Sequence, residues 1–272
     1  MRNNDDRLGT NEEHSTPLTP LEFVVPTSFV KLPSGGKFYP EGHPLCNQDT
    51  VEIKEMTAKE EDILSSRALI EKGVAIDRLV DSLLVDKGIR CDSLVVGDKN
   101  AIIVQARIGA YGSDYQAATN CPACGETTKH TFKLSDIESK EIVLGEGTTQ
   151  LPNNNISIKL SNGWDVECRM LKGSDEAELL RQSEGKKKRK AEESPLTDLL
   201  NAIIVSISGH TDPKTIREAI TYMPAKDTKL LREAYQGAMP SLDMSQEITC
   251  SHCGHEAVME VPLTAEFFWP KQ

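Results

Sequence analysis

Cys121-Pro122-Ala123-Cys124-Gly125 and Cys250-Ser251-His252-Cys253-Gly254 are matching cysteine knuckles, and their reading decides the fold. Each can place two thiols on one side of a tight turn, and the glycine after the second cysteine tolerates the backbone angle that such a turn needs. Four thiolates fill the tetrahedral preference of Zn²⁺ with no position left for water or substrate, which predicts a closed, structural zinc site of Cys121, Cys124, Cys250 and Cys253. One C-x-x-C alone reads equally well as a redox pair. Two of them, both followed by glycine and flanked alike, read as halves of one site. His252, inside the second knuckle, and His255, just beyond it, stay open as replacement ligands. Cys46, Cys91 and Cys168 lack this spacing and read as small buried apolar residues.

The flanks of the two knuckles also match. Tyr115 to Thr119, then His130, Phe132 and Leu134, alternate as strands do, and so do Ile248, then Val258 and Glu260 to Leu263. The expectation is two strand–knuckle–strand arms of one zinc ribbon. Residues 125–249 intervene between Cys124 and Cys250, whereas a self-contained ribbon needs about 15–20. A subdomain is therefore inserted between the arms.

Working outward, residues 1–20 are polar and Pro-containing and predict a disordered tail. Residues 21–50 form a Pro/Gly-rich arm with Pro26, Pro33, Pro40, Pro44 and Gly35-Gly36, suited to an extended path. Its aromatics Phe23, Phe29, Phe38 and Tyr39 are candidate anchors in the groove of a protein partner. The alternative is that the arm packs on the chain's own helices. Gly36-Lys37 is no phosphate loop, because Phe38 stands where Ser or Thr would bind Mg²⁺.

A helical region is expected over 51–112. Thr57-Ala58-Lys59-Glu60 is a capping box that predicts a helix to about Lys72. Ile76, Leu79, Val80, Leu83 and Leu84 have amphipathic spacing, and a nearly all-round apolar helix should run from an N-cap at Asp98 to Gly112. The split ribbon then occupies 113–135 and 246–272, with the inserted subdomain at 136–245. Within it Ile156, Ile158 and Leu160, the turn Ser161-Asn162-Gly163, and Trp164, Val166 and Cys168 or Met170 read as a hairpin. Helices follow, marked by Ser194-Pro195, Asp212-Pro213 and Asp227. The predicted class is α+β: an N-terminal helical layer, a four-cysteine zinc ribbon from two distant knuckles, and an insert of short strands followed by helices.

The formal charge of −11 opposes the approach of a phosphate backbone. Lys186-Lys187-Lys188-Arg189-Lys190 is the one basic run, and with no interleaved aromatic it reads as a solvated helix end or loop. No Ser/His/Asp or Cys/His arrangement marks a catalytic site, and Glu60-Glu61-Asp62 read as a helix N-terminus. No run is long and apolar enough for a membrane span, and Met1-Arg2-Asn3-Asn4-Asp5-Asp6 has no signal-peptide core, so a soluble protein of a reducing cytoplasm is expected.

Phe38-Tyr39-Pro40-Glu41-Gly42-His43-Pro44-Leu45, Ile53 to Leu64 (IKEMTAKEEDIL) and Ala75-Ile76-Asp77-Arg78-Leu79, followed by Gly97-Asp98-Lys99-Asn100-Ala101 and the first knuckle, resemble the baseplate hub protein family of T-even-like contractile-tailed bacteriophages. The resemblance is clearest over residues 30–135. It implies a non-enzymatic hub component or hub assembly factor that works through contacts with other hub or tail proteins. The setting it implies is the host cytoplasm during phage assembly, and the tail baseplate if the chain stays in the virion. The competing expectation is a nucleic-acid-binding zinc ribbon. Against it, Lys129, His130 and Lys133 on the arms face Glu126, Glu247, Glu256 and Glu260.

Overall fold

Helix α4 (Val96–Tyr111) is the element around which the described residues, 24–189, 191–261, 267 and 268 of a computed structural model, are arranged. Its apolar run buries Ala101, Ile102, Ile103, Val104 and Ala106. Such a helix must have neighbours on every side. One is the hairpin of β1 (Thr27–Lys31) and β2 (Thr50–Lys54), whose inward residues Val30, Val51 and Ile53 join the core. Another is α3 (Ala75–Leu83), which buries Leu79, Val80 and Leu83; α1 (Ala58–Ser65) packs on α3, and α2 (Arg67–Glu71) follows α1. Eight α-helices and four small antiparallel sheets make the architecture α+β among the described residues.

After α4 come two strands, β3 (Asp114–Asn120) and β4 (Thr127–Lys133), that carry the first knuckle. A four-stranded antiparallel sheet follows in the order β5 (Thr148–Gln150), β6 (Ile156–Lys159), β7 (Asp165–Cys168) and β8 (Ile204–Ile207). The expected hairpin is its centre, pairing Ile156 with Cys168 and Ile158 with Val166. Between β7 and β8 lie α5 (Gly173–Arg189) and α6 (Pro195–Ile203). Then α7 (Pro213–Tyr222) and α8 (Ala225–Ala238) lead to β9 (Ser245–Thr249) and β10 (Glu256–Glu260), which carry the second knuckle.

Several expectations are corrected. The helix from Thr57 does not reach Lys72: it ends at Ser65, and Ser66 is extended (φ −69°, ψ 106°) before α2 begins. Serine competes with the helix backbone for hydrogen bonds, and two stand in succession there. Asp98 is not the N-cap of α4, which starts two residues earlier; the Leu171 carbonyl takes the Val96 N–H instead (3.0 Å). The insert is not strands first and helices after, because β8 follows α6 and closes the sheet behind it. Helix α5 is not legible in the sequence, having mostly polar residues and no apolar stripe; Lys186 to Arg189 of the basic run form its last turn, and Lys190 lies outside the described residues. There Lys186 is held by Asp198 (2.6 Å) and Ser194 (2.7 Å).

The arm is corrected most. Phe38 (6% exposed) and Tyr39 (1%) lie in the chain's own core and cannot serve as anchors for a partner. Residues 32–47 bring them there through consecutive turns, with Gly36 at φ +72° packed so closely on the backbone of Leu45 and Gln48 that a Cβ would overlap it. The Tyr39 hydroxyl donates to Asp98 Oδ2 (2.7 Å) and accepts from the Val95 N–H (3.1 Å). Ser34 donates its N–H to Asp98 Oδ1 (2.9 Å) and its hydroxyl to Oδ2 (2.6 Å). Burial pushes the Asp98 carboxyl up from its ordinary pKa, against the pull of these donors from Ser34 and Tyr39. Burial and then the Asp98 charge push the Tyr39 hydroxyl far up, so it remains a donor. Phe29, by contrast, is exposed; Phe23 and the tail 1–20 lie outside the described residues.

Asp98→Ala should therefore leave three buried donors without an acceptor and cost about 3 kcal/mol or more. Tyr39→Phe, which removes one donor and strands only the Val95 N–H, should cost less. Urea unfolding of the two variants gives the order directly.

Candidate metal centre

The two knuckles fold alike although their sequences share little beyond Cys-x-x-Cys-Gly. In the first, the Cys121 N–H donates to the Glu126 carbonyl (2.9 Å) and the Gly125 N–H to the Cys121 carbonyl (2.9 Å). In the second, the Cys250 N–H donates to the His255 carbonyl (2.8 Å) and the Gly254 N–H to the Cys250 carbonyl (2.9 Å). Gly125 and Gly254 adopt φ +74° and +71°, which explains their presence after the second cysteine. Each turn buries its first sulfur-bearing residue and exposes its second.

Strand pairing holds the turns at the tips of two hairpins. In β3–β4 the register Asn120↔Thr127 closes the ladder at the knuckle, and Thr249↔Glu256 does the same in β9–β10. The hairpins are joined at their bases by one side chain: Gln246 accepts from the Lys133 N–H (2.9 Å) and donates to the Lys133 carbonyl (2.7 Å). Just beyond, the outgoing and returning chains of the insert are laced together. Lys140 N–H donates to the Ser241 carbonyl (2.8 Å) and Asp243 N–H to the Glu138 carbonyl (2.7 Å), with a bridge between Ser139 and Leu242. The roots of the first hairpin, Tyr115, Phe132 and Leu134, are buried against the core, and Phe267 meets the Tyr115 ring edge-on at 5.1 Å.

The result is a cluster of four sulfurs all within 4.8 Å of one another. The short distances run between knuckles, 3.7 Å from Cys121 to Cys253 and 3.9 Å from Cys124 to Cys250. These exceed a disulfide bond of ~2.05 Å, and they are close to the ~3.8 Å edge of a tetrahedron of thiolates with ligand bonds of ~2.3 Å. The four cysteines can hold a metal ion, and the arrangement is that of a zinc-ribbon-like site. The His252 and His255 side chains are exposed and outside the cluster, which is completed by sulfur alone.

Electrostatics favours a cation there. Backbone amides of Cys253 and His252 pull the Cys250 thiol down to about 6, and the amide of Cys124, with that of Ala123, lowers Cys121. Cys124 is pushed up to about 12 and Cys253 upward as well: the amides of Glu126 and His255 pull them down, but desolvation and neighbouring sulfurs outweigh that pull. Four thiolates so close repel one another, and a bound cation removes the conflict. The remaining cysteines differ. Cys91 and Cys168 are buried, with burial pushing Cys168 up to about 12, and Cys46 is half-buried. No cysteine outside the four joins the cluster. The Gln246 clamp carries no sequence signal, since a glutamine on a strand is ordinarily a solvated side chain.

The chain belongs to the T4 bacteriophage base plate protein family, whose model matches residues 25–269. Neither a search of curated proteins nor one of solved structures gives a match. Among the described residues no helix is long and apolar enough to cross a membrane.

A metal shared by the four sulfurs would close a loop of over a hundred residues, so removing one sulfur should destabilise more than the hairpin that carries it. Cys253→Ser is expected to lower the thermal midpoint and to speed proteolysis between residues 135 and 249. An unchanged melting curve and digestion pattern would show the cluster to be dispensable.

Proposed function

We propose that this chain is a non-enzymatic component, or assembly factor, of the hub of a phage tail baseplate, acting through protein–protein contacts and held together by one structural Zn²⁺. Membership of the base plate family across residues 25–269 carries the reading. The choice of the hub rests on the sequence resemblance in residues 30–135. The choice of zinc rests on the donor set: four sulfurs at tetrahedral spacing suit a closed zinc site, whereas a catalytic zinc keeps a position open for water or substrate. When bound, the metal would supply cross-linking of the two hairpins and no chemistry.

Other tail or hub proteins are the partners this reading requires, with assembly in the host cytoplasm and, for a chain that stays in the virion, the tail baseplate as its setting. The acidic balance and the carboxylates of β9 and β10 disfavour nucleic acid. Of the proposed anchors, Phe23 and Phe29 stay as candidates; Phe29 is exposed, as are Val24 and Val25, and Phe23 lies outside the described residues.

Purified protein should contain about one zinc per chain, and coexpression with the other hub proteins of the same phage should yield a complex that survives affinity purification and moderate salt. Tight, salt-sensitive binding to DNA with no retention of hub proteins would reverse the assignment.

A further inference from the structure

Two strands of this chain, β1 and β10, each lie at the edge of a two-stranded sheet. In the β1–β2 hairpin, the Leu32 N–H donates to the Asp49 carbonyl (2.8 Å) and the Glu55 N–H to the Pro26 carbonyl (2.9 Å). Because backbone direction alternates along a strand, residues 26, 28, 30 and 32 face β2, and Thr27, Phe29 and Lys31 point their N–H and C=O groups away from it. The far edge of β2 is closed by the chain itself, with a bridge from Ile53 to Leu84 and the Val85 N–H on the Glu52 carbonyl (3.3 Å). The outer edge of β1 is paired with no other strand among the described residues.

Strand β10 shows the complementary case. The Cys250 N–H donates to the His255 carbonyl (2.8 Å) and the Val261 N–H to the Met244 carbonyl (2.8 Å), so residues 255, 257, 259 and 261 face β9. Glu256, Val258 and Glu260 therefore direct their backbone groups outward, and this edge too is paired with no other strand among the described residues. Both edges expose a large apolar side chain at their centre, Phe29 (69% exposed) and Val258 (66%). One edge ends in Lys31, with Lys54 a strand further in beside Thr27; the other carries Glu256 and Glu260. None of these charged side chains has an ion-pair partner among the described residues.

We propose that copies of this chain associate head to tail by strand addition, the β1 edge of one receiving the β10 edge of the next. In antiparallel register Phe29 lies opposite Val258 of the second copy, Lys31 opposite its Glu256 and Thr27 opposite its Glu260. All three are pairs in which both residues direct backbone groups at each other, and their side chains share one face. Exposed edges are templates for this mode of recognition. Glu256 meets the unpaired Lys31 beside the apolar pair of Phe29 and Val258, while Glu260 meets Thr27, whose hydroxyl donates to Glu52 (2.7 Å) with Lys54 across from it. The apolar pair and the one opposed charge pair at matching spacing are why the occupant is a second copy. Such a contact is heterologous: each copy uses one surface to receive and another to give, and the series either closes into a ring or continues. A five-residue strand pair buries less than the ~1,200 Å² of a stable interface, so free copies should associate only weakly, with a dissociation constant on the order of 0.1 mM.

The inference rests on the reading of the chain as a protein–protein component. It is tested on the purified full-length protein alone, so its failure is separate from a failure to retain hub proteins. Sedimentation velocity from about 10 μM to about 1 mM should show a rising average mass that falls back with added salt. Phe29→Asp and Val258→Asp, both at exposed positions and expected to melt as wild type, should each remain monomeric over the range. Their equimolar mixture should recover a species of two chains and no larger one, because only one productive pair of edges survives. Lys31→Glu should weaken association at least tenfold, and adding Glu256→Lys should restore it. A wild-type monomer at every concentration overturns the proposal. So does association that Phe29→Asp abolishes and Val258→Asp leaves intact, which would mean β1 pairing with β1. So does a wild-type monomer that associates only when residues 1–23 are removed, which would assign the β1 edge to the chain's own N-terminal segment.

Discussion

Everything between the two knuckles is constrained by the need for four sulfurs to arrive at one point from hairpins 125 residues apart. Such a meeting demands that the intervening chain leave and return at nearly the same place. The lacing of residues 138–140 with 241–243 meets the demand, and Gln246 fixes how the hairpin bases sit together by imitating with its side-chain amide the bonds of a neighbouring strand. Small errors at the base grow toward the tips, so the sulfur spacing of 3.7–3.9 Å depends on the clamp and the neck as much as on the turns.

A second set of long-range bonds organises the other end. The Asp98 carboxylate gathers Ser34 and Tyr39, and Tyr39 in turn accepts from the Val95 amide at the entry to α4. A turn-rich segment with little regular structure is thereby fixed to the most buried helix. Gly97, next to Asp98, packs so closely on the Pro240 carbonyl that no side chain fits, and this brings the end of α8 against the same turn. Lys99 adds ion pairs to Asp77 (2.7 Å) on α3 and Glu176 (2.8 Å) on α5. Four consecutive positions at the start of α4, from 96 to 99, thus contact five separate parts of the chain. That concentration leaves little freedom to alter any one of them alone.

What can be read from sequence is what is written locally. The knuckles announce themselves by spacing and by glycine, the core helix by an unbroken apolar run, and α6 and α7 by proline at their first positions. The failures share a physical origin. Asp98 has the residue type of a cap, but its carboxylate is committed to partners 59 and 64 residues away. The proline and glycine content of 32–47 does exclude regular structure, yet tight turns bury aromatics as well as a helix does, and composition alone does not reveal that Phe38 and Tyr39 turn inward. Helix α5 has no apolar stripe for the eye to follow. Asp227, read as a helix start, lies inside the first turn of α8 and binds the Ser161 amide in the β6–β7 turn (2.9 Å).

The order of the hairpins along the chain sets a timetable for synthesis. A ribosome adds about 5–20 residues per second, so the second knuckle is made roughly 6–25 s after the first. Throughout that interval Cys121 and Cys124 have only each other. A newborn chain therefore carries a two-thiol half-site, and the four-sulfur cluster is complete only when the last strands emerge. The sulfur cluster is then the final fastening of the fold rather than its seed, since the chain between the knuckles must bring its two ends together before the four sulfurs can meet.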